Sequence, residues 1–429
     1  MTDNLAKRIA IVGAGQAAAQ AAETLRKRGH TGLITLIGDE SLLPYQRPPL
    51  SKKFLAGALE RDRLIIRHAA HYADHGVDVR LGFPAVSIDR VRQRVGIADG
   101  SAVDYDRLLL ATGSHPRLLT VPGATLAGVH YLRTFADVDR LRAELSPGRR
   151  AVIIGGGYIG LEVAATCCEA GLDVTVLEAA DRVMNRVVAP LVSQFYEAEH
   201  ARHGVKIHCN VRLHSLIGGE KGTDLFSAAE NRSVPFSRVA SVRLADGRDI
   251  PADFVLVAIG VVGTDALARD AGLDCEHGIV VDEYCRTSDS HIWAAGDCAR
   301  HPSIHYGMRV RLESVDNAFE QGTSAALNML GIATVHDKVP WFWSDQFDLK
   351  MVIVGLAVGY DEVIVRGDPS TRAFSVCYLK AGELVAVETI NHTKDQMAAR
   401  KLIPARFRPD RRQLVDDAVP LREVAVEKP

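Results

Sequence analysis

Cysteine is sparse in this 429-residue chain and follows no ordered pattern. There are seven cysteines, an odd number, and the first of them stands as late as Cys167. No C-x-x-C pair occurs anywhere, so the sequence offers no zinc knuckle. A scattered set of thiols also argues against a disulfide framework and fits a reducing compartment.

Long apolar runs and an excess of one charge sign are missing too. No apolar segment approaches the roughly 18 residues that a membrane-spanning helix needs. The first eight residues, MTDNLAKR, lead directly into a strand pattern, so we expect no signal peptide. The formal net charge is −2, which gives no support to nucleic-acid binding. With 47% hydrophobic and 24% charged residues, the composition predicts a soluble, cytoplasmic protein of two or three domains.

The N-terminal stretch has the pattern of a dinucleotide-binding turn. An apolar run at 9–12 predicts a buried parallel strand, and an Ala-rich segment at 17–28 predicts a helix. Gly13, Gly15 and Ala18 stand between and within them at the spacing G-x-G-x-x-A. The first glycine permits a tight turn, the second lets a pyrophosphate approach the backbone, and the alanine allows close packing of helix on strand.

The strand that follows this helix ends in acidic residues. An apolar run at 33–37 precedes Asp39 and Glu40. A carboxylate at this position can accept hydrogen bonds from a ribose hydroxyl. Because strand, turn, helix, strand and acid occur in order, the stretch predicts a dinucleotide site rather than an ordinary glycine turn.

The same theme returns in the middle of the chain. A strand pattern at 151–154 leads into Gly155, Gly157 and Gly160, a full G-x-G-x-x-G, and a helix is predicted over 158–169. Two such units in one chain predict two dinucleotide sites.

Glu178 ends the next predicted strand, 173–177, and discriminates between cofactors. Its carboxylate would accept hydrogen bonds from the adenosine ribose but would repel the 2′-phosphate of NADP. Arg182 and Arg186 stand four and eight residues on, not at the strand end. The second site is therefore predicted to prefer NADH.

The rest of the chain supplies strand ends and a third domain. Three buried strand patterns end at a glycine: one ends in Thr112-Gly113, one is the segment 253–263 and one ends in Gly296-Asp297. At such an end a flat ligand can approach the backbone closely. A helix is predicted over 313–330, and another short one from about Ser51, after a proline-rich loop. From Pro340 the pattern predicts an antiparallel α+β domain.

Four stretches carry a family resemblance. They are RPPLSK at 47–52, GGGYIGLE at 155–162, ESVDNAFE at 313–320 and PWFWSDQ at 340–346. The chain resembles, over nearly its whole length, the NADH-dependent ferredoxin reductases of bacterial oxygenase systems, within the glutathione-reductase-like two-dinucleotide flavoprotein superfamily. The resemblance implies an α/β fold with two Rossmann-like domains, for FAD and NAD, and a C-terminal α+β domain. We assign 1–116 with 253–330 to the FAD domain, 117–252 to the NAD domain and 331–429 to the third.

The resemblance also implies site residues, carried over by motif position. Lys52, near the flavin N5 edge, and Glu162, near the nicotinamide, are the expected catalytic residues. FAD contacts are expected from Gly13, Gly15, Ala17, Ala18, Asp39, Arg47, Lys52, Val86, Ala111, Thr112, Gly113, Arg133, Gly296, Asp297, Val315 and Trp343. NADH contacts are expected from Gly155, Gly157, Tyr158, Ile159, Gly160, Glu178 and Gly260. Trp341 would join Trp343 at the far edge of the flavin.

The implied activity is hydride transfer from NADH to FAD and single-electron transfer to a 2Fe–2S ferredoxin that serves a cytochrome or other monooxygenase. Disulfide reductases are argued against, because no cysteine precedes Cys167. A reductase of a quinone or other small acceptor stays open, as does a non-catalytic NADH-sensing flavoprotein. An acidic ferredoxin could dock on Arg309 and Arg311 or on the basic run 400–412.

Several smaller expectations complete the prediction. The chain is expected to be a monomer without a metal site, although His68, His71 and His75 would share one helix face. Gly263-Thr264 stands where the family usually has Pro-Asn. The segment 218–239 is longer than the family pattern and is predicted to be a surface loop.

Overall fold

The computed structural model describes residues 7–219 and 237–427. Its first part alternates strands and helices around the first glycine turn. The elements are β1 (Arg8–Val12), α1 (Gln16–Lys27), β2 (Leu33–Gly38), α2 (Ala69–Asp74), β3 (Val77–Leu81), β4 (Ala85–Asp89), β5 (Arg94–Ile97), β6 (Ala102–Asp104), β7 (Arg107–Leu110), β8 (Ser114–Pro116), β9 (Val129–His130) and α3 (Phe135–Arg142).

The middle part repeats the arrangement and adds an antiparallel layer. Its elements are β10 (Arg150–Ile154), α4 (Tyr158–Glu169), β11 (Asp173–Leu177), α5 (Pro190–Arg202), β12 (Lys206–His208), β13 (Leu213–Gly218), β14 (Val239–Leu244), β15 (Asp249–Pro251), β16 (Phe254–Val257) and β17 (Val261–Gly263).

The last part returns to the first sheet and then forms the C-terminal domain. Its elements are α6 (Ala266–Asp270), β18 (Ile279–Val280), β19 (Ile292–Ala294), β20 (Ala299–Ser303), β21 (Met308–Val310), α7 (Val315–Met329), β22 (Trp341–Gln346), β23 (Leu349–Gly355), β24 (Glu362–Arg366), β25 (Phe374–Lys380), β26 (Glu383–Ile390), α8 (Thr393–Leu402) and α9 (Arg411–Val415). Short 3-10 helices lie at Pro48–Ser51, Arg61–Leu64, Pro369–Thr371 and Leu421–Glu423.

Two parallel five-stranded sheets form the frame. The first has the order β19-β7-β1-β2-β3 and the second the order β12-β11-β10-β16-β9. The central strands β1 and β10 are almost continuously apolar and buried, as expected for parallel sheets that are covered on both faces. Each glycine turn therefore leaves the carboxyl end of a central strand, where ligands bind in open α/β sheets.

One predicted domain boundary is wrong. The prediction places the segment from residue 253 in the FAD domain, yet β16 pairs in parallel with β10, with Ala151 opposite Phe254. β16 consequently belongs to the second sheet, because its apolar run Phe254–Val257 fills the position beside β10. The chain returns to the first sheet only with β19, which pairs with β7.

Helix α7 fastens this returning segment to the first unit. It packs along α1, and a Cβ added to Gly322 would lie 2.6 Å from the backbone oxygen of Ala17. Glycine at this position therefore allows the two helix backbones to approach each other. The same contact places the middle of α7 beside the first turn of α1, which follows the first glycine turn.

The C-terminal domain is an antiparallel sheet with the order β22-β23-β26-β25-β24, as predicted from the change of pattern at Pro340. The helix expected from about Ser51 is instead a 3-10 turn over Pro48–Ser51. Prolines suit the first positions of a helical turn, since their missing N–H groups need no partner there. The prediction that the helix starts after the prolines was wrong, because Pro48 and Pro49 are the first two residues of the helical turn.

Three predicted absences can be compared with the described residues. All seven cysteines are free, with Cys167 buried in the core. Within 7–219 and 237–427, no group of three or more potential ligands could hold a metal ion. Of the three histidines expected on one helix face, α2 contains only His71, because His68 and His75 are its caps. None of the described helices is long and apolar enough to cross a membrane. The expected surface loop lies mostly outside the described residues.

Candidate active site

The first glycine turn combines one crowded glycine with one open glycine. Gly13 has a φ of +116°, and a Cβ there would lie 2.0 Å from the carbonyl oxygen of Ala111. At Gly15 a Cβ would meet no atom within 4 Å. The crowded position lets strand ends β1 and β7 meet, whereas the open one leaves room beside the backbone for a ligand.

The two acidic residues after β2 have different environments. Both carboxylate oxygens of Glu40 are engaged, by Arg47 Nη2 at 2.7 Å and by the hydroxyl of Tyr45 at 2.7 Å. Asp39 is exposed and, among the described residues, accepts only the backbone N–H of Glu40. Asp39 is thus the carboxylate that is free for a ribose hydroxyl, while Glu40 orients Arg47.

Asp297 stands at the end of β19 in a basic and polar environment. Its Oδ2 lies 2.7 Å from Ser114 Oγ and 3.0 Å from Arg133 Nη2. Its backbone oxygen accepts a hydrogen bond from Arg311 at 3.0 Å. The site therefore joins four separate segments of the chain at the edge of the first sheet, where the predicted FAD contacts from Ala111 to Gly113 also end.

Lys52 and Glu162 form an ion pair between the two dinucleotide units. Lys52 Nζ lies 2.9 Å from Glu162 Oε1, and these side chains are only 15% and 3% exposed. Glu162 also receives the hydroxyls of Ser51 at 2.5 Å and Ser344 at 2.7 Å. Burial raises the pKa of Glu162, and the charge of Lys52 and these hydrogen bonds oppose that rise.

The second glycine turn has the same division of roles as the first. Gly155, with a φ of +107°, approaches the backbone of Ala258, and a Cβ on Gly160 would lie 2.0 Å from the oxygen of Gly155. A Cβ on Gly157 would meet nothing within 4 Å. Gly260 lies across the turn, with a φ of +97°. The open backbone is again at the helix N-terminus, where phosphate groups bind.

Glu178 lies at the end of β11, against this turn. Its Oε2 accepts the backbone N–H of Gly156 at 2.7 Å, and its Oε1 accepts that of Ala180 at 2.8 Å. Each carboxylate oxygen keeps further lone-pair capacity for a ribose hydroxyl. Ile159, on the first turn of α4, is exposed.

Aromatic residues connect the units to the C-terminal domain. The Tyr158 ring packs on Phe342, with centroids 4.7 Å apart, and its buried hydroxyl has no partner among the described residues. The Trp341 and Trp343 rings stack at 5.4 Å. Trp341 Nε1 donates to Asp316 at 2.6 Å, which places the tryptophan pair beside the first turn of α7 and Val315.

The residues present fit two bound dinucleotides. Two glycine turns leave open backbone at helix N-termini, and each is followed by a strand-end carboxylate. A buried cation, Lys52, lies between the units. Such an arrangement suits a pair of cofactors that meet at Lys52, one held by each unit.

Comparison with known proteins agrees with this arrangement. The family described as pyridine nucleotide-disulphide oxidoreductase matches residues 7–322, and the reductase C-terminal family matches residues 341–425. The chain belongs to the pyridine nucleotide-disulphide oxidoreductase family. It is an oxidoreductase with the mixed α/β fold and C-terminal reductase domain that the sequence predicts.

Individual relatives place the chain more closely. It is 44% identical to the rhodocoxin reductase of Rhodococcus erythropolis over 92% of this chain and 89% of that protein. It is 43% identical to the 5,5'-dehydrodivanillate O-demethylase ferredoxin reductase subunit of Sphingobium sp., over 96% of this chain and 97% of that protein. A crystal structure of the covalent putidaredoxin reductase–putidaredoxin complex matches with a TM-score of 0.91 and 41% identity, over 98% of both chains. The predicted resemblance to ferredoxin reductases of oxygenase systems is confirmed.

Some of the residues predicted to contact FAD lie close to one another in the fold, and others lie away from them. Arg47 donates to the backbone oxygen of Arg133 at 2.7 Å, so these two predicted FAD contacts meet. The backbone N–H of Gly296 donates to Gln321 of α7, and Ala17 lies against the same helix. Val86 is exposed on β4, in a separate three-stranded sheet, so its assignment stays a prediction.

The serines around Glu162 are functional residues that the sequence did not indicate. Ser51 and Ser344 stand inside the stretches RPPLSK and PWFWSDQ but were not assigned any role. They lie 111 and 182 positions from Glu162 in the chain. Only the folded arrangement reveals that both hydroxyls meet the same carboxylate. Ser114, which supports Asp297, was missed for the same reason.

The two basic surfaces considered for docking differ in the reductase. Arg309 is exposed and uses one nitrogen to bond the backbone of Val281. Arg311 is turned inward toward Asp297 and Glu313. In the C-terminal run, Arg400 lies 3.9 Å from the centroid of the Trp341 ring. Arg309 therefore presents exposed positive charge on β21, whereas Arg311 is only partly exposed; Lys401, Arg406 and Arg408 of the C-terminal run are exposed as well.

Proposed function

We propose that the protein is an FAD-dependent NADH:ferredoxin oxidoreductase. It would supply single electrons to a 2Fe–2S ferredoxin that serves a cytochrome or other monooxygenase. The observation that carries the proposal is the buried Lys52–Glu162 pair, which joins the segment after the first glycine turn to the helix of the second. Relatives named as ferredoxin reductases support the choice of acceptor.

The first unit would hold FAD. Gly13, Gly15, Ala17 and Ala18 form the turn for its pyrophosphate, and Asp39 accepts from the ribose. Asp297, fixed by Ser114 and Arg133, accepts from the hydroxyls of the flexible chain that precedes the flavin ring. Further predicted contacts are Arg47, Val86, Ala111, Thr112, Gly113, Gly296, Val315 and Trp343.

The second unit would hold NADH. Gly157 opens the backbone to the pyrophosphate, and Glu178 accepts from the adenosine ribose while its charge disfavours a 2′-phosphate. Gly155, Tyr158, Ile159, Gly160 and Gly260 complete the predicted contacts. Because Glu178 is anchored by Gly156 and Ala180, its carboxylate is preorganised for this discrimination.

FAD, when bound, supplies hydride acceptance from NADH and release of electrons one at a time. The chain's own residues would orient and tune that chemistry. Lys52 places a positive charge, held by Glu162, where negative charge develops on the cofactor. Because the Glu162 side chain is 3% exposed and that of Lys52 15% exposed, water has limited access to the pair, which strengthens its electrostatic effect.

The electron acceptor would dock near the tryptophan pair and Arg309. A ferredoxin with an acidic surface would be attracted to this exposed charge. We propose that the protein works as a cytoplasmic monomer, with the acceptor as its protein partner. A reductase of a quinone or another small acceptor is the second candidate, because the tryptophan edge would also admit a flat molecule.

The test is anaerobic reduction with NADH followed by stopped-flow mixing with a 2Fe–2S ferredoxin. We expect rapid bleaching of the flavin absorbance and rapid reduction of the ferredoxin. Rapid bleaching with transfer only to quinones would support the second candidate. Bleaching with a persistent charge-transfer complex and no transfer to either acceptor would instead indicate an NADH sensor and contradict the proposal.

A further inference from the structure

A hydrogen-bonded chain leads from the Lys52–Glu162 pair into the C-terminal domain and on to α5. Ser344 Oγ lies 2.7 Å from Glu162 Oε1, and Gln346 Nε2 lies 3.2 Å from Ser344 Oγ. At the far end, His200 Nε2 lies 2.9 Å from Gln346 Oε1. Ser344, Gln346 and His200 are at most 1% exposed, so water does not compete for these bonds.

The direction of each bond follows from the chemistry of the groups. Burial lowers the pKa of His200 to about 4, so the ring is neutral near pH 7. With Nε2–H donating to the amide oxygen of Gln346, the Nδ1 of His200, which has no partner in the part of the chain that the structure describes, carries only a lone pair. The amide nitrogen of Gln346 then donates to Ser344, whose hydroxyl is left to donate to Glu162.

The opposite orientation of the amide would leave one buried donor unpaired and would remove one of the two donors that the described residues supply to Glu162 Oε1. A flipped Gln346 would require His200 to accept at Nε2 and to carry an unpaired Nδ1–H inside the protein. Ser344 would then turn its proton to Gln346, and Glu162 Oε1 would lose one of its donors. Because an unpaired buried donor and a poorly solvated carboxylate are both costly, the first orientation is favoured.

We propose that Ser344 is a positioning residue for the Lys52–Glu162 pair. Held in one orientation by Gln346 and His200, its hydroxyl fixes Glu162 Oε1 as an acceptor, so that the carboxylate stays ionised and keeps the ammonium of Lys52 in place. The C-terminal domain thereby completes the electrostatics of the site. The inference rests on the proposed function only for the role of Lys52 toward the flavin.

The other groups around Glu162 do not replace Ser344. Ser51 bonds the second oxygen, Oε2, and lies 3.4 Å from the backbone oxygen of Pro48 as well. On its own helix, Thr166 bonds the backbone of Glu162, and the Tyr158 hydroxyl is unpartnered among the described residues. Only Lys52 and Ser344 donate to Oε1, among the bonds that the described residues make.

The test compares Ser344→Ala with a matched control, Ser375→Ala. Ser375 is equally buried in the same antiparallel sheet and bonds His392 at 3.1 Å, away from Glu162. The first readout is the pH titration of Glu162, monitored through the infrared band of its protonated carboxyl group. Glu162→Gln serves to assign this band. This readout does not depend on turnover. The second is the pH profile of anaerobic flavin reduction by NADH, without any ferredoxin.

In Ser344→Ala the infrared midpoint of Glu162 is expected to rise by about one pH unit, because a donor to the charged form is lost. The acid limb of the reduction profile should move by the same amount. Gln346→Met, which frees the Ser344 hydroxyl to rotate, should give a smaller rise. Ser344→Thr, which keeps the donor, and Ser375→Ala should leave the midpoint in place.

An unmoved midpoint in Ser344→Ala and Gln346→Met, or an equal shift in Ser375→Ala, would overturn the inference. If Ser344→Ala does not fold, Gln346→Met and Ser344→Thr still carry the comparison. A shifted infrared midpoint in a protein that passes no electrons to ferredoxin would leave the positioning role standing and contradict the proposed function instead. The two failures are therefore distinguishable.

Discussion

Tyr378 donates a hydrogen bond of 2.5 Å to Glu388 in the interior of the C-terminal sheet. Both side chains are fully buried, and the second carboxyl oxygen of Glu388 has no partner among the described residues. Burial raises the pKa of Glu388 from 4.5 to about 8, although the Tyr378 bond and the charge of Arg182 oppose the rise. Glu388 is thus protonated in the folded protein near neutral pH.

This raised pKa predicts a loss of stability as the pH rises from 4.5 to about 8. Between pH 4.5 and about 8 the folded protein holds a proton on Glu388 that the unfolded chain has released, so stability falls as pH rises through this window. Glu388→Gln should abolish this part of the pH dependence and stabilise the protein at pH 9 by on the order of a few kcal/mol. Urea unfolding of both proteins at pH 5, 7 and 9 measures it. Parallel curves for the two proteins would show that Glu388 is ionised already.

Two buried histidines predict that the stability of the protein decreases as the pH falls, which is the opposite pH dependence. The rings of His301 and His336 lie 4.7 Å apart, and burial lowers their pKa values from 6.5 to about 4 and about 3. Below pH 6.5 these two histidines bind protons in the unfolded chain but stay neutral in the folded protein. The free energy of unfolding should therefore decrease as the pH falls from 6.5 toward 4. His336→Gln should flatten that decline, as followed by thermal unfolding between pH 4 and 7. The exposed His291 supplies the control, since His291→Gln should leave the slope unchanged.

The open glycines predict a selective loss of cofactor binding. Gly157 has a φ of −80° and free space at its Cβ position, so Gly157→Ala should fold with an unchanged melting temperature. Its methyl group would occupy the pyrophosphate position, and we expect NADH affinity to fall by on the order of tenfold or more while FAD is retained. Gly15→Ala is the reciprocal control, expected to weaken FAD retention. Binding is measured by titration with NAD⁺ and by flavin content. Unchanged NADH affinity in Gly157→Ala would exclude this turn as the NADH site.

The charge of Glu178 predicts the preference for NADH. Glu178→Gln keeps an acceptor for the N–H of Gly156 or Ala180 but removes the negative charge that repels a 2′-phosphate. The ratio of kcat/KM for NADH to that for NADPH should fall by about tenfold. Steady-state kinetics with both coenzymes measure the ratio. Exposed Glu169, replaced by Gln, provides a control for the loss of one charge. A constant ratio in Glu178→Gln would mean that the carboxylate does not face the ribose.

The two parallel sheets and their helices could be predicted because the sequence patterns that specify them, apolar runs and glycine turns, are local. Helix α4 and strand β11 begin and end where the glycine pattern places them, at 158–169 and 173–177. Lys52 and Glu162 were assigned as site residues only through the family resemblance, and their contact with each other was not predicted. The serine donors to Glu162 could not be predicted, since their meeting depends on how three distant segments pack.

The domain boundary near residue 253 failed for a related reason. A short apolar strand such as β16 carries no mark of the sheet that it joins. Glu40 illustrates a third limit, because two neighbouring carboxylates after β2 look equivalent in sequence. Their roles separate only when Arg47 and Tyr45 occupy both oxygens of one of them.

The discontinuous first sheet has a consequence for the order of folding during synthesis. A nascent chain that has reached residue 258 contains every strand of the second sheet, whereas the first sheet still lacks β19 and the helix partner of α1. Domains generally fold as units once their residues have left the ribosome. We therefore expect the inserted unit to fold first, because β7 still lacks its neighbour β19 and α1 still lacks its helix partner α7 at that point. One helix of the earliest synthesised segment, α1, thus acquires its native helix partner only after the whole second sheet has been made.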